Sequence, residues 1–268
     1  FLETNPYCEI AWHQLGKQYA KEELYKEALT AFDFAIISDD CFIGAYIEMG
    51  KILEKLNKIN EAIEKYEIAS EIEDPNPFAL YRIACCHDKL GNQDLALLYY
   101  NKTVTEDPVD DKAWMSIAYN LFQKGELKEA KTNLIKALEI NSEKINYWEL
   151  YAKINFSLKL YEEVEIAFNE ILSIGDLNIS NFTVLTELII KIPENNILTN
   201  KLLKSIDLFP KSVENEINYL ISAIYYTKSE NDKAFIFLKK AYFYNPSKYA
   251  FFKKIFNFFP NLQVFKTH

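Results

Sequence analysis

The feature that most constrains this chain is a set of residue types that recurs every 34 positions. Trp12 and Gly16 are matched in kind by Tyr46 and Gly50 one period later, and the pattern continues, more weakly, as far as Pro246. A fixed period of this length is typical of a solenoid, in which each repeat buries its apolar face against its neighbours. The period therefore predicts one elongated array of stacked repeats.

Small and large residues have separate roles in the repeat. Gly16 and Gly50 are predicted to lie where two helices approach closely, because a larger side chain there would force the helices apart. Trp114 and Trp148 are predicted to fill the space between successive repeats, as close packing requires. Each repeat is therefore expected to be a pair of helices packed on the next pair.

The spacing W-x2-L-G-x2-Y, followed by A-x3-F-x2-A and an acidic residue or proline, resembles the tetratricopeptide repeat, a helix-turn-helix unit. The resemblance implies an all-α, right-handed superhelical solenoid of antiparallel helix pairs. In this register, and with a two-residue shift before the last, seven repeats cover residues 9–248: 9–42, 43–76, 77–110, 111–144, 145–178, 179–212 and 215–248.

The two ends of the chain are expected to differ from the repeats. Residues 1–8 are predicted to end a preceding repeat, because Pro6 falls at an inter-repeat position and the chain begins at Phe1 without a methionine. Residues 249–268 are predicted to form a capping helix, ended by Pro260, and a tail. We therefore expect the chain to be a piece of a longer array.

Composition and charge indicate the fold class and disfavour one class of binding partner. The chain has 6 glycines, 49% hydrophobic residues and no alternating apolar runs, which favours helices over strands. Residues 1–144 hold 26 acidic and 16 basic residues, residues 145–268 hold 13 and 14, and no acidic residue follows Asp232. Nucleic-acid binding is disfavoured, because it needs a basic face. The N-terminal half would more readily meet a basic partner.

No motif in the sequence points to catalysis. It contains no Gly-rich phosphate loop, no H-E-x-x-H and no nucleophile motif, so no catalytic residue and no cofactor are predicted. Cys8, Cys41, Cys85 and Cys86 lack zinc-ligand spacing and are expected to be reduced thiols rather than metal ligands. No membrane span and no signal peptide are visible, and a cytoplasmic location is expected.

The candidate binding site follows from the resemblance, which implies that the first helix of each repeat lines a concave groove through positions 2, 5, 9 and 12 of the repeat. The lysines suit an acidic segment, and the aromatic side chains suit an extended peptide or a partner helix. Each aromatic residue could equally pack against the neighbouring repeat. The predicted groove residues are His13, Lys17, Lys51, Lys55, Phe78, Tyr81, Cys85, Met115, Tyr119, Phe122, Lys153, Phe156, Tyr219 and Tyr226.

The aromatic C-terminal segment allows two interpretations. It could cap the last repeat, or it could be a docking surface for downstream sequence, for a membrane interface or for a second copy through Phe251, Phe252, Ile255 and Phe258. The predicted function is a non-enzymatic protein-interaction scaffold or adaptor that binds its partner in the groove. A regulatory or assembly domain of a longer protein and self-association through the C-terminal helix stay open as alternatives.

Overall fold

The fold is seen in a computed structural model that describes residues 7–73, 75–175, 178–192, 196–206 and 213–256. All regular structure in these residues is helical, which confirms the all-α prediction. The chain divides into two compact units, Phe1–Ile140 and Asn141–His268. We describe each unit by itself.

The first unit consists of helix pairs. Helices α1, α3, α5 and α7 begin at Glu9, Ile43, Pro77 and Asp111, at the spacing of the sequence repeat. A short turn follows each of them and reverses the chain, and the next helix packs back on the first. The helices are α1 Glu9–Lys21, α2 Tyr25–Ser38, α3 Ile43–Lys55, α4 Ile59–Ile72, α5 Pro77–Lys89, α6 Gln93–Glu106, α7 Asp111–Lys124 and α8 Leu127–Ile140.

The small residues lie where the two helices of a pair meet. Phe32 and Tyr66 are fully buried at the centres of the first two pairs. A Cβ atom on Gly16 would lie 2.6 Å from Phe32 Cε1, and a Cβ atom on Gly50 would lie 2.6 Å from Tyr66 Cε1. The aromatic ring of the second helix therefore occupies the space that a side chain on the first helix would need, as the repeat pattern predicts.

In every helix pair whose turn the structure describes, the turn places one residue in the left-handed region. Its φ is 76° at Gly91 and 82° at Gly125, where glycine adopts this conformation without steric cost. The equivalent residues Glu23, Lys159 and Ser229 have φ values of 60°, 61° and 60°. A side chain makes this conformation unfavourable, so these turns store strain that the glycine turns avoid. The corresponding Pro193 lies outside the described residues.

Replacing Lys159 by glycine is expected to raise the free energy of unfolding by about 0.5–1 kcal/mol. The left-handed conformation costs a residue with a Cβ about 1–2 kcal/mol, and glycine's greater freedom in the unfolded chain offsets part of that gain. Urea denaturation followed by circular dichroism measures the difference. Lys159→Ala removes the same side chain but keeps the Cβ, so an equal gain from alanine and glycine would contradict this explanation.

The second unit contains further helix pairs and a short terminal helix. Its α12 has only 9 residues, against 14 in α10 and in α14. Every residue of α13 from Ile217 to Ile224 is buried. The helices are α9 Ile145–Ser157, α10 Tyr161–Ile174, α11 Ile179–Lys191, α12 Asn196–Lys204, α13 Glu214–Thr227, α14 Asn231–Tyr244 and, after a 3-10 turn at Pro246–Lys248, α15 Tyr249–Ile255.

Helix α15 packs on α13. The ring of Phe252 stacks on Tyr219 with centroids 4.8 Å apart, and Phe252 is buried. The prediction that Phe252 belongs to an exposed dimer surface is therefore wrong, because its ring is part of the core of the second unit. Phe251 is 54% exposed, Ile255 is half-buried, and Phe258 and Pro260 lie outside the described residues.

Candidate functional site

The first helices of the repeats form one face of the first unit, which we call the first-helix face (α1, α3, α5 and α7). Side chains bridge neighbouring helices along it. Lys51 Nζ of α3 lies 5.1 Å from the ring centre of Phe78 of α5. Asn120 Nδ2 of α7 donates to Asp88 Oδ2 of α5 at 3.3 Å. Side chains at the predicted groove positions of these helices can therefore act on one ligand together.

The middle of the first-helix face is aromatic and accessible. Phe78 is 44% exposed and Tyr119 is 47% exposed, although both have large apolar surfaces. Met115 and Phe122, which lie on the same helix as Tyr119, are half-buried. Aromatic and methionine side chains are enriched in protein interfaces, where a partner removes them from water. These four residues make the middle of the first-helix face apolar.

Tyr81 and Cys85 contribute less to a binding surface than the sequence pattern predicts. Both are half-buried and pack against the core shared by the third and fourth repeats. The Tyr81 ring lies 5.7 Å from the Tyr100 ring, and the Tyr100 hydroxyl oxygen lies 3.5 Å from Cys85 Sγ. Burial raises the pKa of the Cys85 thiol, which therefore stays protonated and unreactive at neutral pH.

The predicted groove lysines of the first two repeats define what we call the basic end of the groove, and their contacts are largely within the protein. Lys51 donates to Glu48 Oε1 at 2.9 Å, and the Lys55 ammonium lies 5.7 Å from the centre of the Tyr25 ring. Lys17 is half-buried. These internal contacts reduce the positive charge that is free to attract an acidic segment.

His13 adds no charge to this end of the groove. Its ring lies between Phe32 and Phe42, with centroids 5.6 Å and 5.1 Å away. Burial, reinforced by the nearby Lys17, lowers the pKa of His13, so the imidazole is neutral at pH 7.

A buried ion network joins the second and third repeats, and the sequence pattern does not reveal it. The Glu54 side chain is only 3% exposed. It accepts hydrogen bonds from Tyr66 Oη at 2.8 Å, Arg82 Nε at 2.9 Å and Lys89 Nζ at 2.6 Å. Burial alone would raise the pKa of Glu54, but the hydrogen bonds from Lys89, Tyr66 and Arg82 outweigh it and hold the pKa below its usual value. Glu54 therefore remains ionised and fixes α5 against α3.

The next repeat contains a related arrangement. Asp88 accepts a hydrogen bond from Tyr100 Oη at 2.7 Å, as Glu54 does from Tyr66. In both cases the tyrosine follows the acidic residue by 12 positions, and in both cases the following repeat supplies a second donor. An acidic residue paired with a tyrosine 12 residues later is the sequence signal that could have found both networks.

The remaining predicted groove residues lie in the second unit. Tyr226 is 42% exposed, Lys153 is half-buried, and the ring of Phe156 lies 6.2 Å from that of Tyr161. Tyr219, in contrast, is fully buried, and its hydroxyl donates to the Asn245 carbonyl at 2.9 Å. The prediction that Tyr219 lines a groove is wrong, because α15 covers its ring.

The cysteines differ in exposure. Cys41 is exposed, whereas Cys86 is buried, and burial raises the pKa of Cys86 to about 12. The potential ligand atoms of Asp39, Asp40 and Cys41 lie within 4.8 Å of one another, but exposed acidic groups are often found this close without a metal ion. Of the helices in the described part of the chain, none is long and apolar enough to cross a membrane.

Comparison with known proteins supports the repeat architecture. The sequence profile of the family described as anaphase-promoting complex, cyclosome, subunit 3 matches residues 89–171. No curated protein matches the chain significantly in sequence. YrrB, described as a TPR protein with an unusual peptide-binding site, superposes with a TM-score of 0.54 at 20% identity, over 65% of this chain and 89% of its own.

Two further solved structures are also similar. PilF from Pseudomonas aeruginosa has a TM-score of 0.60 at 15% identity, over 75% of this chain and 86% of its own. PilW, described as a widely conserved type IV pilus biogenesis factor, has a TM-score of 0.58 at 15% identity, over 75% and 88%. Likeness at these identities concerns the fold. Together with the 34-residue helix pairs, it shows that the chain has the all-α helical-repeat fold of tetratricopeptide repeat proteins.

Proposed function

We propose that the chain is a non-enzymatic protein-interaction scaffold that binds an extended peptide or a partner helix on the first-helix face. The observation that carries this proposal is the pair of exposed rings, Phe78 and Tyr119, on helices that internal bridges hold side by side. Rings held on a rigid framework lose little entropy when a partner covers them, so they are efficient binding contacts. The peptide-binding site named for YrrB shows that the same fold can serve this purpose.

Apolar contact is expected to supply most of the affinity. The lysines of the face would favour an acidic residue in the partner, but Lys51 is already paired with Glu48. Exposed ion pairs contribute only about 0.2–1 kcal/mol each. An acidic residue in the partner therefore improves specificity more than strength. The four free cysteines suit a reducing compartment such as the cytoplasm.

The test is a selection of displayed random peptides on the full chain, followed by affinity measurement on two double variants. Phe78→Ala with Tyr119→Ala is expected to weaken the selected peptides at least about tenfold, because truncating two interface aromatics typically costs more than 1 kcal/mol. Circular dichroism confirms that the variant remains helical.

The matched control is Phe243→Ala with Tyr244→Ala, which removes the same two residue types from exposed positions of the second unit. It should leave peptide affinity within about twofold. Equal binding by both variants would overturn the proposed site, and a selection that yields no peptide would overturn the proposed function.

A further inference from the structure

The outward side of α14 combines exposed rings with lysines. Ile236 is 63% exposed, Phe243 is 79% exposed and Tyr244 is 63% exposed, and Lys239 and Lys240 are also exposed. These residues follow one another at intervals of three and four, so they share one stripe of the helix. We call this stripe the α14 outer face. The opposite side of α14 is buried through Ala234, Leu238 and Ala241.

Charge distinguishes this stripe from the equivalent one in an earlier repeat. Positions of α4 that correspond to Ile236, Lys239 and Phe243 are Glu64, Glu67 and Glu71, all exposed. The repeat architecture therefore does not require rings and lysines on the outside of its second helix.

One of the two lysines of the α14 outer face is paired within the protein, because Lys240 Nζ lies 3.2 Å from Glu214 Oε1. The nearby Glu230 is engaged by Lys233, whose Nζ lies 2.6 Å from Glu230 Oε2. Lys239 is exposed. No acidic residue follows Asp232 in the sequence. Lys248 and Lys254 are exposed farther along, beside the 54% exposed Phe251. The end of the second unit thus presents aromatic surface together with positive charge, and few acidic residues are present to neutralise that charge.

We propose that the α14 outer face binds the surface of an anionic phospholipid bilayer. A helix with apolar and basic residues on its free side lies in the plane of the interface, with its rings at the boundary between headgroups and acyl chains. Each lysine near such a surface contributes about a fivefold gain in binding. The bilayer offers negative charge and apolar depth along the whole stripe, whereas an acidic protein would have to match each ring with its own pocket. This contact is peripheral and independent of the peptide site on the first unit.

The test is co-sedimentation of the full chain with vesicles. One set contains phosphatidylcholine alone, and the other contains about 30% phosphatidylserine, which creates the negative surface potential that attracts basic segments. The chain is expected to sediment with the second set. Salt at 0.5 M should release it, because the Debye screening length falls from about 10 Å at 0.1 M to about 3 Å at 1 M salt. A variant with Lys239→Glu and Phe243→Ser is expected to bind at least about tenfold more weakly.

A control variant with Lys26→Glu and Ile37→Ser has the same change in charge and also loses an exposed apolar side chain, which in Ile37 is 72% exposed. It should bind vesicles within about twofold of the unmodified chain. Failure to bind anionic vesicles, equal loss in both variants, or equal binding to both vesicle sets would each overturn the proposal. Binding to soluble poly-glutamate without binding to vesicles would also overturn it and would identify the surface as a protein-docking site.

Discussion

Glu54→Ala is expected to lower the free energy of unfolding by about 3–5 kcal/mol. Removing one member of a buried ion network leaves the others without compensation, and this costs more than the network itself contributes. Here the substitution leaves the Arg82 guanidinium without its carboxylate partner and removes the acceptor of the Tyr66 hydroxyl. Urea denaturation monitored by circular dichroism measures the loss.

The matched control for this prediction is Glu48→Ala. Glu48 belongs to the same helix and is also paired with a lysine, but it is only partly buried, so its removal should cost at most about 1 kcal/mol. If the two substitutions cost the same, the buried network would not be a main source of stability in the first unit.

The same network makes stability depend on pH. The folded-state pKa of Glu54 lies below its usual value of 4.5, so its contribution is fully present above that value and is lost as the pH falls through the folded-state pKa. The stability difference between the unmodified chain and Glu54→Gln should therefore be constant between about pH 7 and 5 and shrink in more acidic solution. A difference that grows with acidity would contradict the lowered pKa.

Tyr219→Ala is expected to lower the free energy of unfolding by about 3–5 kcal/mol, the usual cost of truncating a buried aromatic side chain. The ring is fully buried and stacks on Phe252, so its loss opens a cavity between α13 and the terminal helix. Thermal or urea unfolding of the full chain measures the effect.

Two further variants separate the contributions at this position. Tyr219→Phe keeps the ring but leaves the Asn245 carbonyl without its donor, which should cost about 0.5–1.5 kcal/mol. Tyr226→Ala, in the same helix, removes a ring that is 42% exposed and should cost less than Tyr219→Ala. If Tyr226→Ala and Tyr219→Ala lower the free energy of unfolding equally, Tyr219 is not the more deeply buried residue, and this explanation is contradicted.

The sequence predicts those features of the fold that depend on the repeat pattern alone. Gly16 and Gly50 are recognisable because each must admit an aromatic ring from its own repeat, and that requirement returns with every period. The starts of the first helices follow from the same register. Phe78 and Tyr119 occupy groove positions that the family resemblance implies, and both are exposed. Their role in binding a partner stays a prediction.

What the sequence does not predict depends on neighbours that differ from repeat to repeat. Glu54 reads as a surface charge until Arg82, which is 28 residues later, is placed beside it. Tyr219 occupies a groove position by register, but α15 covers its ring. Periodicity describes the average repeat, whereas a buried ion network and a cap depend on individual side chains from two elements.

The buried thiol of Cys86 gives the third repeat a reporter of its own opening. A thiol reagent reaches only a thiolate that solvent can contact, so Cys86 reacts when its repeat opens, whereas exposed Cys41 reacts without any such motion. A change in the ratio of the two modification rates, followed by mass spectrometry, reports a change in local opening in the unmodified chain. A partner that binds the exposed rings of the first-helix face would slow the reaction at Cys86 and leave the reaction at Cys41 unchanged. Binding could therefore be recorded without attaching any label.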